Sequence, residues 1–166
     1  MELIARLEQS RDTFLRALEG VTEEQARIKP PGGGWSILEC VEHVALAEWG
    51  MLRMTQKAPA GDAPTDFERD ARILKNGADR SRKTQSPDVA LPTGRYATLA
   101  EAAAQFRQNR ENTLAYVRET TDDLRKKQMQ HPVAGPLDAY QCMLLMCAHP
   151  QRHIGQIADC KLQIAD

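Results

Sequence analysis

The chain has 166 residues, 42% hydrophobic and 27% charged, with 22 Lys and Arg against 23 Asp and Glu. A net charge of −1 leaves no electrostatic footprint for DNA, RNA or an anionic membrane, and 5% aromatic residues are too few for a base-stacking surface. No apolar run approaches the ~20 residues that span a bilayer, so the expectation is one domain over residues 1–166 with neither a nucleic-acid nor a membrane partner.

The first six residues, Met1 to Arg6, lack the charged-then-apolar pattern of a signal peptide. A first helix is predicted over Glu2 to Glu19, with Leu3, Leu7, Phe14 and Leu18 near one face and Gly20 ending it. Thr22-Glu23-Glu24-Gln25 reads as a capping box for a short helical turn, and Pro30, Pro31 and three consecutive glycines make a break. The second long helix opens at Ser36, where Ser36 and Glu39 form a capping box. It is predicted to reach about Gln56, with Val41, Val44, Ala45, Leu46, Leu52 and Met54 as its apolar surface.

Residues 57–97 are punctuated by Pro59, Gly61, Pro64, Gly77, Pro87, Pro92 and Gly94, with a short helix expected around Phe67–Leu74. A connection this long inside a domain tends to be functional. Between Arg69 and Gln85 it carries Arg69, Arg72, Lys75, Arg80, Arg82 and Lys83 against Asp70 and Asp79. These read either as a solvated surface or as a basic rim for an anionic substrate. The third long helix starts at Thr98, again with a capping box (Thr98, Glu101), and is predicted to continue to about Thr121, burying Leu99, Ala103, Phe106, Leu114 and Val117. A loop is expected from Asp122 to Gly135. Pro136 fits the first position of a fourth helix, where its missing donor costs nothing, and that helix is predicted from Leu137 toward Ile164. Its first half is apolar almost all round, which makes it central. No alternating strand pattern of useful length is visible. The fold expected is all-α: a four-helix bundle with one long crossover between the second and third long helices. Cys40, Cys142, Cys147 and Cys160 form no Cys-x-x-Cys pair and fall in helix-like segments, so they read as reduced, buried thiols of a cytoplasmic protein.

His149 and His153 are four apart and share one helix face about a turn apart. That spacing suits two adjacent positions on a divalent cation, and a third imidazole from a distant helix, His43, would complete a three-nitrogen site with an open position. The bland alternative is three polar residues with ordinary partners. Against it, His153 continues a stripe through Met146, Ile157 and Cys160, and buried unpaired imidazoles are expensive. Pro150, between the late pair, removes a helical hydrogen bond and disfavours helical geometry at His149. The helix either kinks there or breaks, with Pro150 opening a new segment; a kink is the expectation because the apolar spacing carries through.

Four segments, in order, give the chain a wider likeness: Gly34-Trp35-Ser36-Ile37-Leu38-Glu39 with His43; Ser86-Pro87-Asp88-Val89-Ala90-Leu91-Pro92-Thr93-Gly94-Arg95; His131-Pro132-Val133-Ala134-Gly135-Pro136-Leu137; and His149 with Arg152-His153 and Gln156-Ile157. In these the chain resembles the DinB-like superfamily of bacterial metalloproteins over nearly its whole length, with Pro150 as the clearest departure. The resemblance implies a four-helix bundle, a metal held by His43, His149 and His153, and a homodimer. Characterised members include bacillithiol S-transferases and mycothiol-dependent maleylpyruvate isomerases. The function expected is therefore a divalent-metal-dependent thiol S-transferase acting on a small-molecule substrate, with zinc or nickel as the ion and a low-molecular-weight thiol as co-substrate. The alternatives are a metal-dependent hydrolase or a non-catalytic bundle that binds metal or a small molecule. Glu39 reads as a helix cap rather than a general base. His131 reads as structural or rim-forming, Arg152 and Gln156 as contacts to ligands or substrate, and Cys40 as a fourth ligand only if the helix turns it inward.

Overall fold

Side-chain caps set most of the helix starts. The computed structural model describes residues 2–62, 64–81 and 84–165, the last two by backbone alone. Helix α1 spans Glu2–Arg16 and buries Leu3, Leu7, Ser10 and Phe14, one per turn. It stops short of Glu19 because its last turn tightens: Leu18 N–H reaches back three residues to Leu15, and Glu19 to Arg16. Gly20 then takes a left-handed φ of 75°. Capping boxes start α2 (Glu23–Arg27, Thr22 with Gln25), α3 (Ile37–Lys57, Ser36 with Glu39) and α5 (Leu99–Glu119, Thr98 with Glu101). Asp66 caps α4 (Phe67–Ala78).

Helices α1, α3, α5 and α6 (Ala139–Ala165) form the bundle, and residues 58–98, with α4 inside them, make the long crossover. One apolar cluster gathers Phe14, Ile37, Val41, Phe106 and Ile157, with Phe14 and Phe106 edge to face at 4.8 Å. The other gathers Leu7, Met51, Leu114, Met143 and Met146. Helix α4 lies along α6 in the same direction: Gln141 donates to the Asp66 carbonyl near the start of both, and Arg152 to the Asp79 carbonyl further on. The approach is close enough that a Cβ on Gly77 would sit 2.8 Å from that of Ala148, and the helix runs past Leu74 to Ala78.

The segment expected to be a loop holds a β-hairpin. Strands β1 (Gln128–His131) and β2 (Gly135–Asp138) pair antiparallel, with Gln128 opposite Asp138 and His131 opposite Gly135. Pro136 lies in β2 opposite Gln130 rather than in the first turn of the last helix. A proline, having no N–H, is tolerated where a ribbon has only one neighbour. The last helix instead starts at Ala139 behind a reciprocal cap: the Asp138 carboxylate accepts from Gln141 N–H at 2.7 Å, and the Gln141 side chain accepts from Asp138 N–H at 3.2 Å. Helix α6 is unbroken through Pro150, so the alternative in which Pro150 opens a new segment fails. Among the described residues, no helix is long and apolar enough to cross a membrane.

Candidate metal centre

The two ends of the chain bring their histidines together. His43, on α3, places its Nε2 3.1 Å from Nε2 of His149, and His153 Nε2 lies 3.0 Å from the same atom. The three rings pack mutually, with centroids 4.6, 4.7 and 5.0 Å apart. Among the described residues this is the group of His, Cys, Asp and Glu side chains that could hold a metal ion, one ligand atom from each within 4.8 Å of the others. His43 and His153 are 5% and 3% exposed, and His149 is half-buried.

The crossover holds His43. Its Nδ1 donates to the Ala90 carbonyl at 2.7 Å, with Ser86 Oγ 3.4 Å away, which leaves the Nε2 lone pair directed into the cluster. Ala90 ends a short 3-10 turn, Asp88–Ala90. The strand of chain that follows is clamped by Glu42, whose buried carboxylate accepts from the backbone N–H groups of Thr93 (2.8 Å), Gly94 (3.2 Å) and Arg95 (3.1 Å). Glu42 and His43 are adjacent on α3, so one turn of helix supplies both the clamp and the ring it serves. The Trp35 ring packs against two of the histidines, its centroid 4.7 Å from that of His43 and 6.2 Å from that of His153.

Electrostatics keep these imidazoles neutral. Burial is the main cause of the lowered pKa at His43, opposed by its bond to Ala90. Burial, then repulsion from His153 and His43, holds His149 well below the ordinary value. Burial and His43 push His153 down to about 3. Gln156 leans toward His153 and favours its charged form, yet the buried His153 Nδ1 has no hydrogen-bond partner of good geometry.

A cation fits this donor set. With the His43 proton on Nδ1, its Nε2 is a bare acceptor, and a single N–H on His149 can serve only one of its two neighbours. Three nitrogens therefore crowd together with too few protons between them. Tetrahedral zinc at about 2.0–2.1 Å from each nitrogen needs nitrogens roughly 3.3 Å apart, a few tenths of an ångström beyond those found.

The other candidates separate cleanly. Glu39 caps α3 and pairs with Lys29 at 2.8 Å. Cys40 lies outside the cluster; its Sγ is 3.8 Å from the Gln156 side-chain oxygen, so it is no fourth ligand. His131 ties the hairpin turn, its Nδ1 accepting from Val133 N–H (3.2 Å) and Ala134 N–H (3.0 Å). Arg152 binds the Asp79 carbonyl. Of the basic residues in the crossover, Arg69 donates to the Ala134 carbonyl, Arg72 pairs with Asp66 and Arg80 with Asp159, while Arg82 and Lys83 lie outside the described residues. All four cysteines are buried free thiols, and burial pushes Cys40, Cys142 and Cys147 up to about 12.

Sequence reasoning missed Glu42, the Trp35 stack and the Ala90 carbonyl. Only Glu42 left a signal: a carboxylate between Val41 and His43 on a buried face needs donors from elsewhere.

The chain resembles solved four-helix bundles. One, described as TT2238, a four-helix bundle protein, is 21% identical with a TM-score of 0.61 and 95% of each chain covered. Another, YfiT from Bacillus subtilis, described as a probable metal-dependent hydrolase with an unusual four-helix bundle topology, is 18% identical with a TM-score of 0.63, covering 99% of this chain and 86% of its own. No curated protein matches the chain. The model of the DinB superfamily matches residues 6–157, so this chain belongs to the DinB superfamily.

Proposed function

We propose that the protein is a divalent-metal-dependent enzyme for a small-molecule substrate, with His43, His149 and His153 as ligands. The observation that carries this is the convergence of three imidazole nitrogens, 3.0 and 3.1 Å apart, with no carboxylate or thiol grouped with them among the described residues. Such a set would leave a bound zinc or nickel ion its full charge, and the ion would supply Lewis acidity that lowers the pKa of a thiol or water.

The chain's own residues prepare the site. Ala90 fixes the His43 tautomer, Trp35 packs against His43 and His153, and burial favours the neutral form of each ring. None of the cysteines offers a ready thiolate, because burial raises all of them. A nucleophile supplied from solution fits this burial. Thiol transfer from a low-molecular-weight co-substrate to an electrophilic small molecule is the reading that family resemblance favours. Hydrolysis is the second reading, favoured by the description of YfiT as a probable metal-dependent hydrolase.

A metal-reconstituted activity screen tests this. Several small thiols with a common electrophile should give thiol-dependent turnover that is lost in His43→Ala, His149→Ala and His153→Ala. Turnover of esters or amides without any thiol would select hydrolysis. Full metal content in all three variants would remove the site assignment.

A further inference from the structure

Pro150 has no N–H, so the carbonyl four residues back, that of Met146, has lost its helical donor. It is not left empty. Arg110 of α5 donates to it through Nη2 at 2.8 Å. The same guanidinium is fully buried, forks onto Glu48 of α3 (Nε to Oε1 2.6 Å, Nη2 to Oε2 2.9 Å) and reaches the Leu7 carbonyl of α1 at 2.6 Å. The next carbonyl of α6, that of Cys147, takes the hydroxyl of Ser10 at 2.8 Å. The backbone disturbed by Pro150 is thus bound by side chains from two other helices, immediately before His149.

We infer that Arg110 is a positioning residue for the histidine cluster: by filling the acceptor that Pro150 orphans, it sets the part of α6 that carries His149 and His153 relative to α3. This rests on the reading of those histidines as metal ligands. The anchor points are close to them. Met146 is three residues, about 4.5 Å of helix, before His149, and Glu48 is five residues, about 7.5 Å, after His43. The fork therefore joins the two ligand-bearing helices beside the site while touching no ligand itself. Arginine suits the task because its planar array of donors serves three acceptors at once, which the single ammonium of lysine cannot do in fixed directions.

A double-mutant cycle on metal affinity tests this. Arg110→Lys keeps the charge beside Glu48 and should weaken zinc binding, measured by chelator competition, by on the order of tenfold or more. Pro150→Ala returns an N–H to the Met146 carbonyl, so in that background Arg110→Lys should change affinity by less than about threefold. Equal losses in both backgrounds, or no loss in either, would overturn the proposal, since a purely structural arginine would not depend on residue 150. If Arg110→Lys does not fold, Glu48→Gln, which loosens the fork while keeping Arg110, carries the same expectation. Amide exchange of His149 and residues 151–155 in metal-free protein supplies a readout independent of the ion: Arg110→Lys should speed it with Pro150 present and not in Pro150→Ala. Should the unmodified protein bind neither zinc nor nickel, the ligand reading fails and exchange alone decides whether Arg110 holds α6. Should it bind zinc while Arg110→Lys binds as tightly, only the proposal about Arg110 fails.

Discussion

Glu48 and Arg110 on one side, and His43, His149 and His153 on the other, are two polar clusters buried in the same core, and they answer burial in opposite ways. The first closes on itself: both carboxylate oxygens accept from the guanidinium, Thr113 Oγ1 adds a bond at 2.9 Å, and Nη1 and Nη2 also reach the Leu7 and Met146 carbonyls. The second is short of protons, with lone pairs meeting at a shared centre and His153 Nδ1 unmatched. A cluster that satisfies its own members serves the fold; one whose acceptors converge with too few donors has room for a cation to replace them.

The sharpest way to break this contrast is to unbalance the closed cluster. Glu48→Ala leaves a buried guanidinium unpaired and should cost about 3–5 kcal/mol in denaturant unfolding; a loss below about 1 kcal/mol would show that the pair is not integral to the core. The open cluster should instead respond to what is supplied. Zinc at a hundred times its Kd should stabilise the protein by about 2.7 kcal/mol relative to chelator-treated protein, and His149→Ala should abolish the difference. Acid probes the same cluster without metal. The folded imidazoles titrate below 6.5, so below that pH the unfolded chain takes up protons that the folded chain refuses. Stability of the metal-free protein should be level above about pH 6.5 and fall as the pH drops below it, with His153 contributing down to about pH 3 at roughly 1.4 kcal/mol per unit, and with a shallower slope in His153→Ala. The smallest effect belongs to the edge of the closed cluster: Ser10→Ala removes one bond to the Cys147 carbonyl and should cost about 1 kcal/mol.

What could be read in advance follows from how local each device is. Capping boxes at Thr22, Ser36 and Thr98 span four residues and were legible, as was the His149–His153 pair, whose spacing alone places both rings on one face. His43 was legible as the third member only through its place on another long helix. The hairpin was not, because four-residue strands carry too little alternation, and Pro136 mimicked a helix start that Asp138 and Gln141 actually make. Arg110 was invisible for another reason: its partners lie 62 residues back at Glu48 and on backbone carbonyls, which have no letter of their own. The Ala90 carbonyl that orients His43 is hidden in the same way.

The clamp at Glu42 bears on how this crossover can vary in length. Ala90 is held through its carbonyl and Thr93 through its amide, both to neighbouring residues of α3, so only two residues separate the attachments. Inserting even one residue between them would slacken the segment and let the ring at position 43 turn, whereas the chain ahead of Ser86 has no such double tether to α3 among the described contacts. Insertions and deletions in relatives should therefore gather before position 86 and spare the stretch from Ala90 to Thr93.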